Sequence, residues 1–393
     1  MPERNLNFDA VIDRTNTKSL KYDFAERRGR PKDVLPFWVA DMDFPTSSYV
    51  QDALRAQVDH GIFGYSDTLT PYFEAVQGWM KRHHGYEVQE DWLIKTPGIV
   101  YALAQCVRAF TEPGDAVLIQ EPVYYPFYEV IQDNDRKLVS SNLVLGPDGN
   151  YIVDFDDFEK KIAENGVKLF LLCSPHNPGG RVWTREELTR MGEICLAHGV
   201  LIAADEIHED FAFARPHTVF ASLSPEFAAQ SVTLTSPSKT FNLAGLQVSN
   251  LFIPNAELRD KLQHAIDATG YSQLGVMGLI AAEAAYNCGD VWYDGVKEYI
   301  QRNIDFAVKE INAIPGLYVH PPEGTYLLWI NAGGLGMDDR ALDAFLLYDA
   351  KLWLDSGAMF GAPGAGFTRL NVACPRATLE KGLQQLKEAV SRR

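Results

Sequence analysis

SVTLTSPSKTFN, residues 231–242, decides how the rest of the chain is read. Ser231–Thr235 reads as a buried strand, and it runs directly into a turn carrying Ser236, Ser238 and Lys239. A lysine at a strand end reaches into the cleft beyond it, and hydroxyls beside a lysine are good phosphate ligands. Such a loop suits a ligand with both a phosphate and an aldehyde that an amine can hold as a Schiff base. The same string also suits an exposed surface lysine, so its meaning depends on what the other strand ends deliver.

Outward from that stretch, Trp92–Thr96, Ala116–Gln120, Lys168–Cys173, Val200–Ala204 and Val248–Ile253 read as further buried strands. Ile99–Phe110, Thr184–His198 and Asn255–Thr269 read as helices between them, with Thr184 and Glu187 spaced as a capping box. This alternation predicts an α/β fold with a mostly parallel sheet sandwiched by helices. Beyond about Gly289 the texture changes. A long helix, Val291–Ile314, ends at Pro315-Gly316. A strand at Thr325–Ile330, a helix Asp338–Tyr348, strands Trp353–Leu354 and Thr368–Asn371, and a last helix from Arg376 follow. These describe a smaller α+β unit. The expected division is an N-terminal arm (1–47) contributing to the small domain, a large ligand-binding domain (48–288) and a C-terminal small domain (289–393).

Composition narrows the function. A net charge of −16 over 393 residues disfavours nucleic acid and anionic membranes as partners. No apolar run reaches the length of a membrane span, and the first 20 residues lack the apolar core of a signal peptide. The five cysteines are scattered, without a CxxC pair, as expected of reduced thiols in a cytoplasmic protein.

In a parallel sheet, ligands bind beyond the carboxyl ends of the strands. After Trp92–Thr96, Pro97-Gly98-Ile99-Val100 opens a helix whose free N–H groups suit a phosphate, or simply make a turn. After Ala116–Gln120, Tyr124 and Tyr125 sit on a proline-bounded loop, placed to stack on a planar ring or to pack the loop. After Lys168–Cys173, the turn SPHNPGG presents the amide of Asn177. After Val200–Ala204, Asp205 stands nearly buried, where a lone carboxylate is costly and a protonated ring nitrogen is a suitable partner. Asp205, Glu206 and His208 lack the spacing of a zinc helix, so no metal is expected. His83-His84, beside Lys81 and Arg82, reads as a solvated helix end. A helix start, a tyrosine, an amide, a carboxylate and a Ser/Lys loop at one sheet edge together point to pyridoxal 5′-phosphate.

With those residues in hand, the chain resembles the fold-type I, pyridoxal-phosphate-dependent class I/II aminotransferase superfamily, through SPHNPGG (174–180), DEIH (205–208), SPSKTFNLAGLQ (236–247) and GFTRLNVACP (366–375). It is more closely similar to the cystathionine β-lyase branch, the MalY/PatB-like C–S lyases, through WVADMDFPT (38–46), FGYS (63–66), DEIHED (205–210) and RLNVACPR (369–376). The resemblance implies that Lys239 holds the cofactor's aldehyde, Asp205 pairs with the pyridine nitrogen, Asn177 bonds the ring oxygen and Tyr124 stacks on the ring. It implies that Gly98, Ile99 and Val100 meet the phosphate, helped by Ser236 and Ser238, and that His208 borders the cofactor. Arg369, with Asn177 and Ala40, would bind the substrate and its α-carboxylate. Tyr65 would reach the phosphate of a neighbouring subunit, making the active unit a homodimer.

Two positions depart from ordinary aminotransferases. His208 stands where they carry tyrosine, and Gln247 where they carry arginine. Both fit the lyase branch. The expected activity is α,β-elimination from cystathionine or a related cysteine S-conjugate, with pyruvate, ammonia and a thiol as products. The alternatives are an aminotransferase and a regulatory protein that keeps the fold. Phe24, Trp38, Phe63, Tyr125 and Phe360 are candidates for the thiol-side pocket, or for core packing.

Overall fold

Seven strands between residues 93 and 252 form one sheet in the computed structural model, which describes residues 2–393. They are β1 (Leu93–Thr96), β2 (Ala116–Ile119), β3 (Lys137–Ser140), β4 (Leu169–Cys173), β5 (Leu201–Asp205), β6 (Ser231–Thr235) and β7 (Ser249–Phe252). Their order across the sheet is β1-β7-β6-β5-β4-β2-β3. Strands β2 to β6 are parallel, whereas β7 is antiparallel to both its neighbours. The connection from β6 to β7 holds only a four-residue helical turn, Pro237–Thr240, and one 3-10 turn. It cannot cross the sheet face as a parallel return requires, so β7 comes back antiparallel.

The central strands are apolar on both faces because both are covered. Along β4, Leu169 and Leu171 face one core and Phe170 and Leu172 the other. Helix Ile99–Phe110 presents Ile99, Ala102, Leu103, Cys106 and Val107 to the first of these, the spacing of a single helical stripe. The Thr184 capping box is present, with both reciprocal bonds to Glu187 formed. Helices Ser48–His60, Thr70–His84, Pro126–Gln132, Phe155–Asn165 and Val276–Cys288 come in addition to those read from the sequence. Val276–Cys288 packs against both Ser48–His60 and Thr70–His84, and it is apolar nearly all round, so it shows no stripe to read.

A second sheet, antiparallel throughout, lies in the C-terminal quarter: β8 (Tyr318–Val319), β9 (Leu327–Asn331), β10 (Asp355–Ser356) and β11 (Phe367–Asn371), in the order β8-β9-β11-β10. Helices Asp290–Asn312 and Arg376–Ser391 flank it. The segment expected as one helix over 338–348 is a short helix, Asp339–Ala344, that widens into a π turn, Phe345–Asp349. Near the N-terminus, Leu35–Pro36 pairs in parallel with Leu352–Trp353, and Trp38 stacks on Trp353 at 4.4 Å. Residues 38–43 thereby run between the turn after β6 and β11, bonded to Lys239 and Asn242 on one side and to Arg369 and Asn371 on the other.

His83 and His84 are not a solvated helix end. The His84 side chain is buried, its Nε2 2.9 Å from Asp210 Oδ1, and the His83 ring lies 3.8 Å from that of Trp79. The helix C-terminus turns inward because Asp210, buried, needs donors, and His84, Trp79 Nε1 and Thr240 Oγ1 supply them. All five cysteines are unpaired, with Cys288 alone exposed. Among the described residues no helix is long and apolar enough to cross a membrane.

Candidate active site

The carboxyl ends of β1, β4, β5 and β6 open on a cavity of about 320 Å³. Gly98, Tyr124, Asn177, Asp205, His208, Ser238, Lys239 and Arg369 all reach its wall. So do Ala40, Ile99, Val100 and Ser236. Of the site residues read from the sequence, Tyr65 alone stands apart, almost fully exposed beside a different surface hollow.

Lys239 leaves the helical turn after β6, and its Nζ donates to the carbonyl of Ala40 at 2.7 Å. Burial and the charge of Arg369 pull its pKa down to about 8, against the pull of Asp41 and Asp205. Asp205 ends β5. Burial pushes its carboxyl up to about 7, and among the described residues the only hydrogen bond the carboxyl accepts is from Ile207 N at 3.2 Å. His208 is held neutral by burial beside Lys239 and Arg369, and its Nδ1 has no hydrogen-bond partner. Glu206 points away from the cavity, accepting from Phe220 N and lying 2.9 Å from His217 Nε2. Asp205, Glu206 and His208 therefore diverge and form no common ligand set. Glu206 and Glu209 gather instead with His217 behind the strand.

Two phosphate-side groups are already engaged within the protein. Gly98 N–H does not face the cavity freely, because it donates to Ser249 Oγ at 3.0 Å. Its role is conformational: φ of +108° is a backbone state in which a side chain is strained. The free donors of this helix start are those of Ile99 and Val100. Ser236 Oγ caps the turn, accepting from Ser238 N at 3.1 Å and donating to Val248 O at 2.6 Å. Its Oγ also lies 2.9 Å from Ser238 Oγ, so the two hydroxyls are bonded to each other and a ligand would have to draw Ser238 away from Ser236.

On the opposite wall, Asn177 Oδ1 accepts from Arg369 Nη1 at 2.9 Å, leaving the amide nitrogen to donate. Tyr124 N–H donates to Asn177 O at 3.0 Å, which ties the tyrosine loop to the asparagine loop. The Tyr124 and Tyr125 rings lie 5.0 Å apart. Of the aromatic candidates, Trp38 and Tyr125 line the cavity, and Phe360 packs behind, its ring 4.9 Å from the Arg369 guanidinium. Phe24 and Phe63 do not line it. Val39 and Ile207, within WVADMDFPT and DEIH, also line it, as do Leu20 and Asp355, which carried no signal in the sequence. Asp355 sits in WLDSG, an unremarked string, and only the pairing of β10 with β11 brings it to Arg369.

This donor set fits pyridoxal 5′-phosphate. A buried carboxylate without a cationic partner, Asp205, awaits a protonated ring nitrogen, and a lysine with a lowered pKa faces the same space. A helix start with free N–H groups and the Ser238 hydroxyl, which a phosphate would draw from Ser236, complete a phosphate cradle.

Residues 32–386 match the family described as aminotransferase class I and II. Over 388 residues the chain is 42% identical to the cystathionine β-lyase PatB of Bacillus subtilis, covering 98% of this chain and 100% of that one. It is 34% identical to the protein MalY of Escherichia coli, covering 98% of each. The crystal structure of cystalysin from Treponema denticola, which contains pyridoxal 5′-phosphate, superposes with a TM-score of 0.94 at 36% identity, covering 98% of this chain and 99% of that one.

Proposed function

Because the chain belongs to the class I and II aminotransferase family, in its branch of pyridoxal-phosphate-dependent cystathionine β-lyases and C–S lyases, we propose that it cleaves cystathionine or a related L-cysteine S-conjugate by α,β-elimination. The balance is one S-conjugate and one water giving a thiol, pyruvate and ammonium. The cofactor, pyridoxal 5′-phosphate, supplies the electron sink for the charge left on Cα when its proton departs. The observation that carries the reading is the convergence of Lys239, Asp205 and Arg369 on one cavity.

Each residue has a task that follows from its surroundings. Arg369 holds the α-carboxylate and so fixes which Cα bond faces Lys239. Lys239 removes the Cα proton; its pKa near 8 leaves part of it as free amine at neutral pH. Asp205 would keep the ring nitrogen protonated, and a cation beside it would return its carboxyl toward the ionised form. Tyr124 would cover a ring face, and Asn177 would donate its amide to the ring oxygen. Ile99 and Val100 N–H with Ser238 Oγ would hold the phosphate, with Gly98 and Ser236 shaping that cradle. His208, neutral, borders the ring without adding charge. Gln247 lines the cavity with a neutral amide where an aminotransferase would place a cation.

The active unit is a homodimer in this reading. Tyr65, Leu69 and Ile62 are exposed together along 62–69, which is the surface a second copy would cover. The division into arm, large domain and small domain at residues 47 and 288 belongs to the same reading.

The test is pyruvate release from L-cystathionine and S-methyl-L-cysteine by the pyridoxal-phosphate-loaded protein, with no keto acid added. Sustained pyruvate with equal ammonium supports elimination. Turnover only when 2-oxoglutarate is supplied would make the protein an aminotransferase.

A further inference from the structure

The guanidinium of Arg369 already has a carboxylate partner. Its Nη1 donates to Asn177 Oδ1, and its Nη2 to the carbonyl of Trp38 and to Asp355 Oδ2. Arg369 and Asp355 are both almost fully buried, with side chains 3% and 4% exposed. They stand directly opposite in the antiparallel pairing of β10 with β11, so both side chains leave the sheet on one face, into the cavity. The Nε of Arg369 has no hydrogen-bond partner.

Substrate binding then creates a charge problem. Two carboxylates, that of the substrate and that of Asp355, would share one guanidinium in a site shielded from water. Like charges this close resist being ionised together, and burial already raises the carboxyl of Asp355 against the pull of Arg369 and Arg30. Arg30 is itself paired with Asp343 at 2.6 Å. Lys239 is turned toward Ala40 and is needed at Cα. A second cation next to Asp355 would resolve the imbalance, and a substrate can bring it.

We propose that Asp355 is a specificity-determining residue that pairs with an ammonium group on the departing thiol, so that the site prefers cysteine S-conjugates with a cationic leaving group and rejects those with an anionic one. The inference rests on the elimination reading, since it names the leaving group of that reaction. Leu20, Trp38 and Tyr125 line the same cavity and would pack the carbon stem that carries the amine.

The test compares three conjugates of similar size on the holoenzyme: S-(2-aminoethyl)-, S-propyl- and S-(carboxymethyl)-L-cysteine. In the wild type, kcat/KM should fall in that order, with the aminoethyl compound favoured over the propyl by about tenfold or more, as one charged contact supplies. In Asp355→Asn the aminoethyl-to-propyl ratio should fall to about 1. Asp355→Glu, which keeps the charge, should restore part of it. Calorimetric binding of L-lysine against L-2-aminoheptanoate, which have no C–S bond, should show the same preference and the same loss. Equal losses on all three conjugates, with the ratio unchanged, would show that Asp355 only props Arg369 and would overturn the proposal. Absence of pyruvate from every conjugate, with lysine still favoured through Asp355, would sink elimination and leave the charge recognition standing. Pyruvate from all three with no charge preference would do the reverse.

Discussion

Lys239 Nζ and the carbonyl oxygen of Ala40 are 2.7 Å apart although 199 residues separate them in the chain. The N-terminal segment therefore forms part of the wall facing the reactive lysine. Tyr326 OH donates to the same carbonyl at 3.1 Å, so the residue just before β9 fixes it from the other side. Burial behind these two distant stretches of chain, with the charge of Arg369, lowers the Lys239 pKa.

Only the neutral amine of Lys239 attacks an aldehyde. Its pKa of about 8 means it is mostly protonated at pH 6.5 and mostly free at pH 9. The rate at which the apoprotein captures pyridoxal 5′-phosphate, followed by absorbance after mixing, should rise with pH and level off above about 8. Lys239→Ala should show no covalent capture and no turnover, while still binding the cofactor reversibly.

Asp205 in the apoprotein is a buried carboxyl raised from 3.8 to about 7. The unfolded chain releases this proton near pH 4 and the folded one does not, so the apoprotein loses stability as pH climbs from about 4 to 7. Asp205→Asn should therefore melt higher than wild type as apoprotein at pH 8, by roughly 2–4 kcal/mol, with the gap closing as pH falls to 4. The same substitution should lower kcat of the holoenzyme by about 10²–10³-fold, the loss of one electrostatic stabiliser.

Gly98→Ala puts a side chain on a backbone with φ of +108°. The strain should cost about 1–3 kcal/mol, met in part by rotating the helix start. Because Gly98 N–H is anchored to Ser249 Oγ, the rotation would pull the Ile99 and Val100 donors off line. Equilibrium dialysis should show weaker cofactor binding with little change in the thermal midpoint of the apoprotein.

If Tyr65 serves the neighbouring site, Tyr65→Ala and Lys239→Ala should complement each other. In a mixed dimer the Tyr65→Ala subunit keeps Lys239 and receives Tyr65 of the partner subunit. Mixing and refolding the two variants in equal amounts should recover about a quarter of wild-type activity, the statistical yield for a two-fold dimer. Activity no higher than the average of the two separate variants would place Tyr65 outside the site.

His84→Ala should destabilise the fold by about 3–5 kcal/mol, because it strips a donor from the buried carboxylate of Asp210. Chemical denaturation at pH 7 measures it. Asp210 is held below the usual carboxylate range by its donors although burial opposes them, so the wild type should lose this stability as pH falls below about 4.

Much of the site was legible because polar residues placed straight after apolar strands have few places to go. Asp205 after Leu201–Ala204 and Ser238-Lys239 after Ser231–Thr235 must stand at the sheet's carboxyl edge once those runs are buried in parallel. Residue type and chain order alone determined that edge, the parallel strands and the Thr184 cap, all of which depend on local periodicity and neighbouring side chains. Other features depend on partners remote in sequence, and only the tertiary structure decided them. Ser249 takes the Gly98 N–H across 151 residues, Asp210 draws His84 inward across 126, and Arg369 meets Asn177 across 192. Asp355 is only 14 residues from Arg369, yet its side chain meets the guanidinium through strand register, which no local pattern near WLDSG specifies. A buried polar group must find a partner, but which partner it finds is settled when separate elements pack.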